Sequence, residues 1–358
     1  MPKSKYTLTF ASGVVVSALL LSGCGLFGEK EKATQIDPPQ EVTYTDEEMD
    51  VKEQNAEKET SKQEDAAVEE TIKTELYLID KNGYVVPQTL DLPKTDSVAT
   101  QALEYLVKDG PVTEILPNGF DAVIPAETQV SVNVEDKVAT VDFSSEFKDY
   151  QAEDEMKILQ SITWTLTQFD SIEKVKLQMN GHPLEEMPVN GTPIGDELTR
   201  NDGINYDISA SGDITNTRPI TVYYIGGEKE SYYYVPVTKR VSNSTENNIE
   251  AAINELVEGP EVSSNLLNEF RPEVKLLEEA KVEGGLVTLN FNESIYNSFE
   301  GKMISEHVLN TIVLSLTEQP GIESVAVTVN GKAELVKEDG KKVTKPVTRP
   351  EKVNTGSF

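Results

Sequence analysis

Two stretches of this sequence, about 150 residues apart, repeat each other in order, and this duplication limits the possible folds more than any other feature. Ile172 to Gly181 (IEKVKLQMNG) returns as Ile322 to Gly331 (IESVAVTVNG), both ending in Asn-Gly. Ile162 and Leu166-Thr167 recur as Ile312 and Leu316-Thr317. Val138 to Phe143 (VATVDF) matches Leu286 to Phe291 (LVTLNF), and Ala102 to Val107 (ALEYLV) matches Ala252 to Val257 (AINELV). Each of the latter is soon followed by Gly-Pro, at Gly110-Pro111 and Gly259-Pro260, and Tyr84 to Pro87 echoes Tyr233 to Pro236. A period this long means tandem domains, since solenoid repeats run to about 20–50 residues. The expected domains are 74–186 and 218–336.

Each copy reads as β-β-α-β-β-α-β. Glu75 to Asp80 and Tyr84 to Leu92 are strand-like around an Asn82-Gly83 turn. Val98, Ala102 and Leu106 recur at helical spacing, and Gly-Pro stops that helix. Val130, Val132 and Val134 alternate toward one face of a strand that turns at Asp136-Lys137. The second helix, about Glu153 to Phe169, carries the stripe Ile158, Ile162, Leu166 and Phe169, echoed by Ile304, Val308, Ile312 and Leu316. The fold class is therefore α+β: two tandem copies of a small domain, helices packed on one face of a sheet.

The flanks differ from the repeats. Lys3 and Lys5 precede an apolar run from Leu8 to Leu21 that is short for a membrane span, and Leu21-Ser22-Gly23-Cys24 closes it. Residues 1–23 are expected to be a signal peptide. Small residues before a cysteine resemble a bacterial lipobox, which implies a diacylglyceryl anchor on Cys24, the only cysteine. Two acyl chains suffice to hold a protein on a bilayer. The segment 24–73 is expected to be an acidic disordered tether: from Glu29 to Glu75 there are sixteen acidic against six basic residues, and Tyr44 is the sole aromatic of that stretch. A linker is expected at 187–217, rich in Gly, Asn, Asp, Thr and Ser. A basic disordered tail is expected at 337–358, with Lys337, Lys341, Lys342, Lys345, Arg349 and Lys352 against Glu338, Asp339 and Glu351. The net charge of −30 argues against nucleic acid as a partner, because binding it requires a basic surface.

The search for chemistry finds little. The two histidines, His182 and His307, face lysines (Lys332 and Lys157) at the matching positions of the other copy. No zinc, calcium or phosphate-loop spacing occurs, so no metal or cofactor is expected. Two S-x-x-K matches, Ser145 to Lys148 and Ser171 to Lys174, lack the companion S-D-N and K-T-G motifs of penicillin-interacting enzymes. Glu153, Asp154 and Glu155 suit a helix N-terminus. The tyrosines of the opening strands of copy two form one aromatic cluster. Of these, Tyr223, Tyr232 and Tyr234 are the candidate surface for a partner or a glycan; the alternative is ordinary strand composition, partly packed inside.

A lipobox, an acidic tether and two β-β-α…Gly-Pro…β-β-α-β units together resemble the GerMN-domain family of sporulation and spore-germination lipoproteins. The matching residues are Leu103 to Pro111, Val138 to Phe143 and Ile162 to Gly181, with Ala252 to Pro260, Leu286 to Phe291 and Ile312 to Gly331 in the second copy. The resemblance implies a role in spore formation and germination, and a shape akin to ring-building domains of secretion and sporulation channel complexes. It carries no catalytic residues. The expectation is a non-enzymatic scaffold on the extracytoplasmic face of the membrane, in sporulating cells between the mother-cell and forespore membranes. Its partners would be envelope or channel-complex proteins. Peptidoglycan binding, or a wall-modifying enzyme, is the alternative.

Overall fold

A computed structural model describes residues 70–207, 216–228, 231–243, 247–298 and 302–355. The signal segment, Cys24 and nearly all of the tether lie outside the described residues. The first strand begins at Thr71, so the last residues assigned to the tether belong to the fold.

The first copy opens with a hairpin of β1 (Thr71–Asp80) and β2 (Val85–Pro93), antiparallel from Thr71↔Pro93 to Ile79↔Val85. Helix α1 (Val98–Glu104) follows, and the short β3 (Phe120–Asp121) pairs with the end of β1. Strands β4 (Val130–Glu135) and β5 (Val138–Phe143) form a second hairpin. Asp136 and Lys137 turn it with φ of 49° and 63°, as a two-residue hairpin loop requires. Helix α2 (Glu155–Leu166) then crosses over to β6 (Lys174–Met179), parallel to β5. Parallel neighbours need such a crossover. Asn180-Gly181, both at positive φ, turns the chain into β7 (His182–Pro183).

The second copy repeats the plan. Its hairpin is β8 (Thr217–Glu228) and β9 (Ser231–Ser242), followed by α3 (Asn248–Glu258). Then come β10 (Lys281–Glu283), β11 (Leu286–Phe291), β12 (Met303–Ile304), α4 (Glu306–Thr317) and β13 (Ser324–Val329). The chain ends through β14 (Val336–Lys337) and β15 (Val347–Thr348).

The α+β class and the duplicated plan agree with the sequence reading, but the strands of the first copy divide between two sheets and those of the second among three. The opening hairpins stand apart from the sheets ordered β4-β5-β6-β7 and β10-β11-β13-β15. Each long helix lies between a hairpin and a sheet, which explains why it is buried beyond its apolar stripe. Ile158, Ile162 and Leu166 are fully buried, yet so are Ser161, Thr163 and Thr165. The polar side chains hold the hairpin edge: Tyr77 N donates to Thr165 Oγ1 at 3.1 Å, and Tyr223 N donates to Ser315 Oγ at 2.8 Å. These N–H groups would otherwise be orphaned inside the protein, at a cost of about 1–3 kcal/mol each.

Two expectations about the flanks are corrected. Within the presumed linker, Met187, Ile194, Leu198 and Ile204 are buried. The presumed disordered tail packs against the fold as far as Asn354: Val347 pairs with Val325, and Val353 is 1% exposed. Average polarity misled the reading, because both segments space single apolar residues among polar ones whose side chains satisfy backbone groups.

Candidate functional site: the junction of the copies and their free edges

The two corrected segments are equivalent. Leu198-Thr199-Arg200 corresponds to Val347-Thr348-Arg349, and Ile204-Asn205 to Val353-Asn354, all displaced by 149. Each runs beside the last long strand of its own copy, Leu198 bridging Val175 and Val347 pairing with Val325. Each then reaches the hairpin of the other copy. Thr238 N donates to Ile204 O at 2.8 Å, and Ile204 N to Thr238 Oγ1 at 2.9 Å. In the mirror contact, Thr89 N donates to Val353 O at 3.1 Å, and Val353 N to Thr89 Oγ1 at 2.8 Å.

The asparagines complete the exchange. Asn205 Oδ1 accepts from Val85 N at 2.8 Å, while its Nδ2 donates to Val85 O and to Pro236 O of the second copy. Asn354 Oδ1 accepts from Tyr234 N at 2.7 Å, while its Nδ2 donates to Tyr234 O and to Pro87 O of the first copy. Two small apolar clusters flank these arms. Tyr77, Val85, Trp164 and Ile204 form one; Tyr223, Leu314 and Val353, with Tyr234 against them, form the other. Position by position they are the same cluster in two copies, so the junction has a pseudo-twofold relation. Phe120 and Asp80 of the first copy add a T-shaped contact at 5.2 Å and a 2.6 Å hydrogen bond, both with Tyr233.

Charge breaks the symmetry. The Arg200 guanidinium lies 4.4 Å from the Trp164 ring centre and pairs with Glu318. Arg349 lies 5.6 Å from the Tyr223 ring centre and pairs with Glu75 at 3.3 Å and Glu318 at 3.5 Å. The Glu318 side chain is 7% exposed and also accepts from Tyr223 OH at 3.1 Å. Burial alone would raise its carboxyl, but the two guanidiniums and the phenol hold it below its ordinary value. Burial pushes the Tyr223 phenol well up, so it stays a neutral donor.

The tyrosine surface is thereby corrected in part. Tyr223 is fully buried at the junction and presents no face to a glycan. Tyr232 and Tyr234 are half-buried against His307, with a T-shaped contact at 5.3 Å and a 3.2 Å Tyr234 OH···Nδ1 contact. Tyr223 pairs with Pro236, so the three tyrosines do share one face of the hairpin; the junction covers the first, while the other two lie farther along it, against His307. His182 is exposed on β7. Ser145 Oγ contacts the carboxylate of Glu146, and Lys174 pairs with Glu197 at 2.5 Å, so neither S-x-x-K match joins a serine to a base. Among the described residues no three His, Cys, Asp or Glu gather as a metal site. No described helix is long and apolar enough to cross a membrane.

Two sheet edges remain. The arms lie along β6 and β13, while β4 and β10 end their sheets with no further strand beside them among the described residues. Val282 on β10 and Leu277 just before it are each 48% exposed. Unpaired edges offer backbone donors and acceptors to an incoming strand.

The Germane family model, described as "Sporulation and spore germination", matches residues 75–185 and 221–335. The spore germination protein GerM of Bacillus subtilis (strain 168) is 57% identical over 353 residues, covering 96% of each chain. The solved tandem GerMN domains of the sporulation protein GerM from Bacillus subtilis align with a TM-score of 0.76 at 60% identity, covering 80% of this chain and all of that one. With the duplicated fold and these matches together, the chain belongs to the Germane family of sporulation and spore-germination proteins, in its tandem GerMN form.

Proposed function

We propose that this protein is a non-enzymatic assembly factor of the sporulating cell, held by a lipid at Cys24 on the extracytoplasmic face of a membrane. Its work is to bind envelope-complex proteins across the adjoining space; its part in germination is direct, or follows from a correctly built spore. The observation that carries this reading is the locked junction. Two equivalent sheets are held in one body, and among the described residues no strand pairs with the outer edges of β4 and β10. Strand addition to such an edge gives affinity through main-chain hydrogen bonds. Two edges on one body raise the effective concentration for a partner with two matching segments.

The test is capture from sporulating cells with the full-length chain as crosslinking bait, against a form carrying Leu277→Lys and Val282→Lys. Recovery of proteins of the opposing membrane, reduced at least tenfold by the paired substitution, is the expected result. Recovery of wall fragments alone would replace the reading with peptidoglycan binding. Turnover of purified wall by the protein would replace it with an enzyme.

A further inference from the structure

The sequence holds five Asn-Gly pairs, at Asn82-Gly83, Asn118-Gly119, Asn180-Gly181, Asn190-Gly191 and Asn330-Gly331. Such a pair carries its own chemistry. The glycine amide nitrogen attacks the asparagine Cγ, since glycine has no Cβ to hinder the approach. Ammonia leaves and a succinimide ring closes. The nitrogen must lose its proton and move toward Cγ, so an N–H held in a hydrogen bond resists the step.

All five asparagines are exposed, so access to water does not separate them. The glycine N–H does. Gly83 N donates to Asp80 O at 2.9 Å, and Gly191 N to Met187 O at 3.0 Å. Gly181 N donates to Asp142 Oδ1 at 2.9 Å, and Gly331 N to Asn290 Oδ1 at 2.8 Å, the same guard at equivalent places in the two copies. Gly119 N has no acceptor among the described residues, and the Asn118 side chain has no hydrogen bond among them either.

The local fold explains the exception. Pro117 to Phe120 form a turn closed by Phe120 N donating to Pro117 O at 3.2 Å, with Gly119 at a φ of 80°. The central N–H, that of Gly119, takes no part in closing such a turn. Nothing lies within 4 Å of where a Cβ on Gly119 would stand, so its surroundings are open. The far end of the turn is tied down. Phe120 is 4% exposed, lies opposite Asp80 on β1 and makes the 5.2 Å contact with Tyr233 of the second copy.

We propose that Asn118 is a modification site: it deamidates ahead of the other four Asn-Gly pairs, and its isoaspartyl product opens the turn that carries Phe120 to the junction. In the first step Gly119 N gives its proton to water or hydroxide and bonds to Asn118 Cγ. The Cγ–Nδ2 bond breaks, and the side-chain nitrogen leaves as ammonia. In the second step water adds to one of the two succinimide carbonyls and opens the ring. Addition at the main-chain carbonyl routes the backbone through the side chain and gives isoaspartate; addition at Cγ gives aspartate. Either product carries a negative charge where none stood. The isoaspartyl form also adds a methylene to the chain path, inside the loop that the Phe120 N to Pro117 O bond closes. This chemistry is independent of the partner-binding reading.

The test is peptide mapping by mass spectrometry of the full-length chain in detergent micelles, incubated at pH 8, with fragmentation that separates isoaspartyl from aspartyl products. Asn118 is expected to convert at least tenfold faster than each of the other four. In denaturant, where no glycine N–H is held, the five rates are expected to fall within threefold of one another. Asp142→Ala removes the acceptor of Gly181 N and is expected to speed conversion of Asn180 at least threefold, with Asn118 unchanged. Comparable rates at all five sites in the folded chain, or an Asn180 rate indifferent to Asp142→Ala, would overturn the assignment. Hydrogen exchange at Phe120 N is expected to quicken at least tenfold in the isoaspartyl form and to stay slow in Asn118→Gln taken through the same incubation. Equal exchange in the two would overturn the effect on the turn.

Discussion

Arg200 and Arg349 occupy equivalent places in the two arms, yet both depend on one acid, Glu318, whose counterpart in the first copy is Gln168. Gln168 is used differently: it accepts from Glu75 N and donates to Glu75 O, closing the edge of β1. Removing Glu318 therefore strands two guanidiniums with Glu75 as the remaining acid between them. Breaking a buried pair from one side costs about 3–5 kcal/mol, so Glu318→Gln is expected to lower unfolding stability at pH 7 by about 3 kcal/mol in a denaturant titration. The sign with pH follows from the lowered carboxyl. A group whose pKa is depressed by folding stabilises above its unfolded value, and that contribution disappears as pH falls through the folded value. The gap between Glu318→Gln and the parent protein is thus expected to close on acidification. Glu155 allows the same test with a number. Burial opposes its ionisation, but bonds from Thr192, Asn190 and Tyr150 bring its carboxyl down from 4.5 to about 2. Glu155→Gln is expected to cost about 2–3 kcal/mol above pH 5, with the difference fading toward pH 2. Parallel stability curves at all pH values would contradict both assignments.

At the scale of elements, the arms decide the architecture. Deleting residues 346–358 would remove β15, Arg349, Val353 and Asn354 together. It would leave Thr89 N, Tyr234 N and Tyr234 O without their partners. With about 1–3 kcal/mol per buried orphan, the expected loss is about 5 kcal/mol, and hydrogen exchange should accelerate in β2 as well as β9. Exchange confined to the second copy would contradict the reciprocal contact. The helices and strands were largely legible in the sequence, because the stripes Ile158-Ile162-Leu166 and Val308-Ile312-Leu316 and the alternation of Val138 to Phe143 follow burial directly. The arms were legible too, as a third repeat: Leu198-Thr199-Arg200 with Ile204-Asn205 against Val347-Thr348-Arg349 with Val353-Asn354. They escaped because two apolar residues six apart in a polar stretch have neither helical nor strand period. The division of strands among separate sheets escaped for another reason: local pattern does not say which hairpin edge will be closed by a helix hydroxyl. Nor could the tyrosine pattern tell that Tyr223 is covered by α4 and the arm, since a strand with both faces buried has no solvent side to read.

For the whole molecule, the junction turns two small domains into one folding unit. A single core cluster contains Leu76, Val141 and Ile162 of the first copy together with Val222, Leu289 and Ile312 of the second. Small domains bury a modest share of their surface, and fusing two of them through exchanged arms raises that share. The same junction places the β4 and β10 edges on one body, as the proposed assembly role requires. The most direct measurement of this claim is calorimetric unfolding of the full-length chain beside its Arg349→Ala form. One transition is expected, with calorimetric and van't Hoff enthalpies equal, and the substitution should move it downward as a whole. Two separable transitions, with only the one belonging to the second copy displaced by Arg349→Ala, would contradict it.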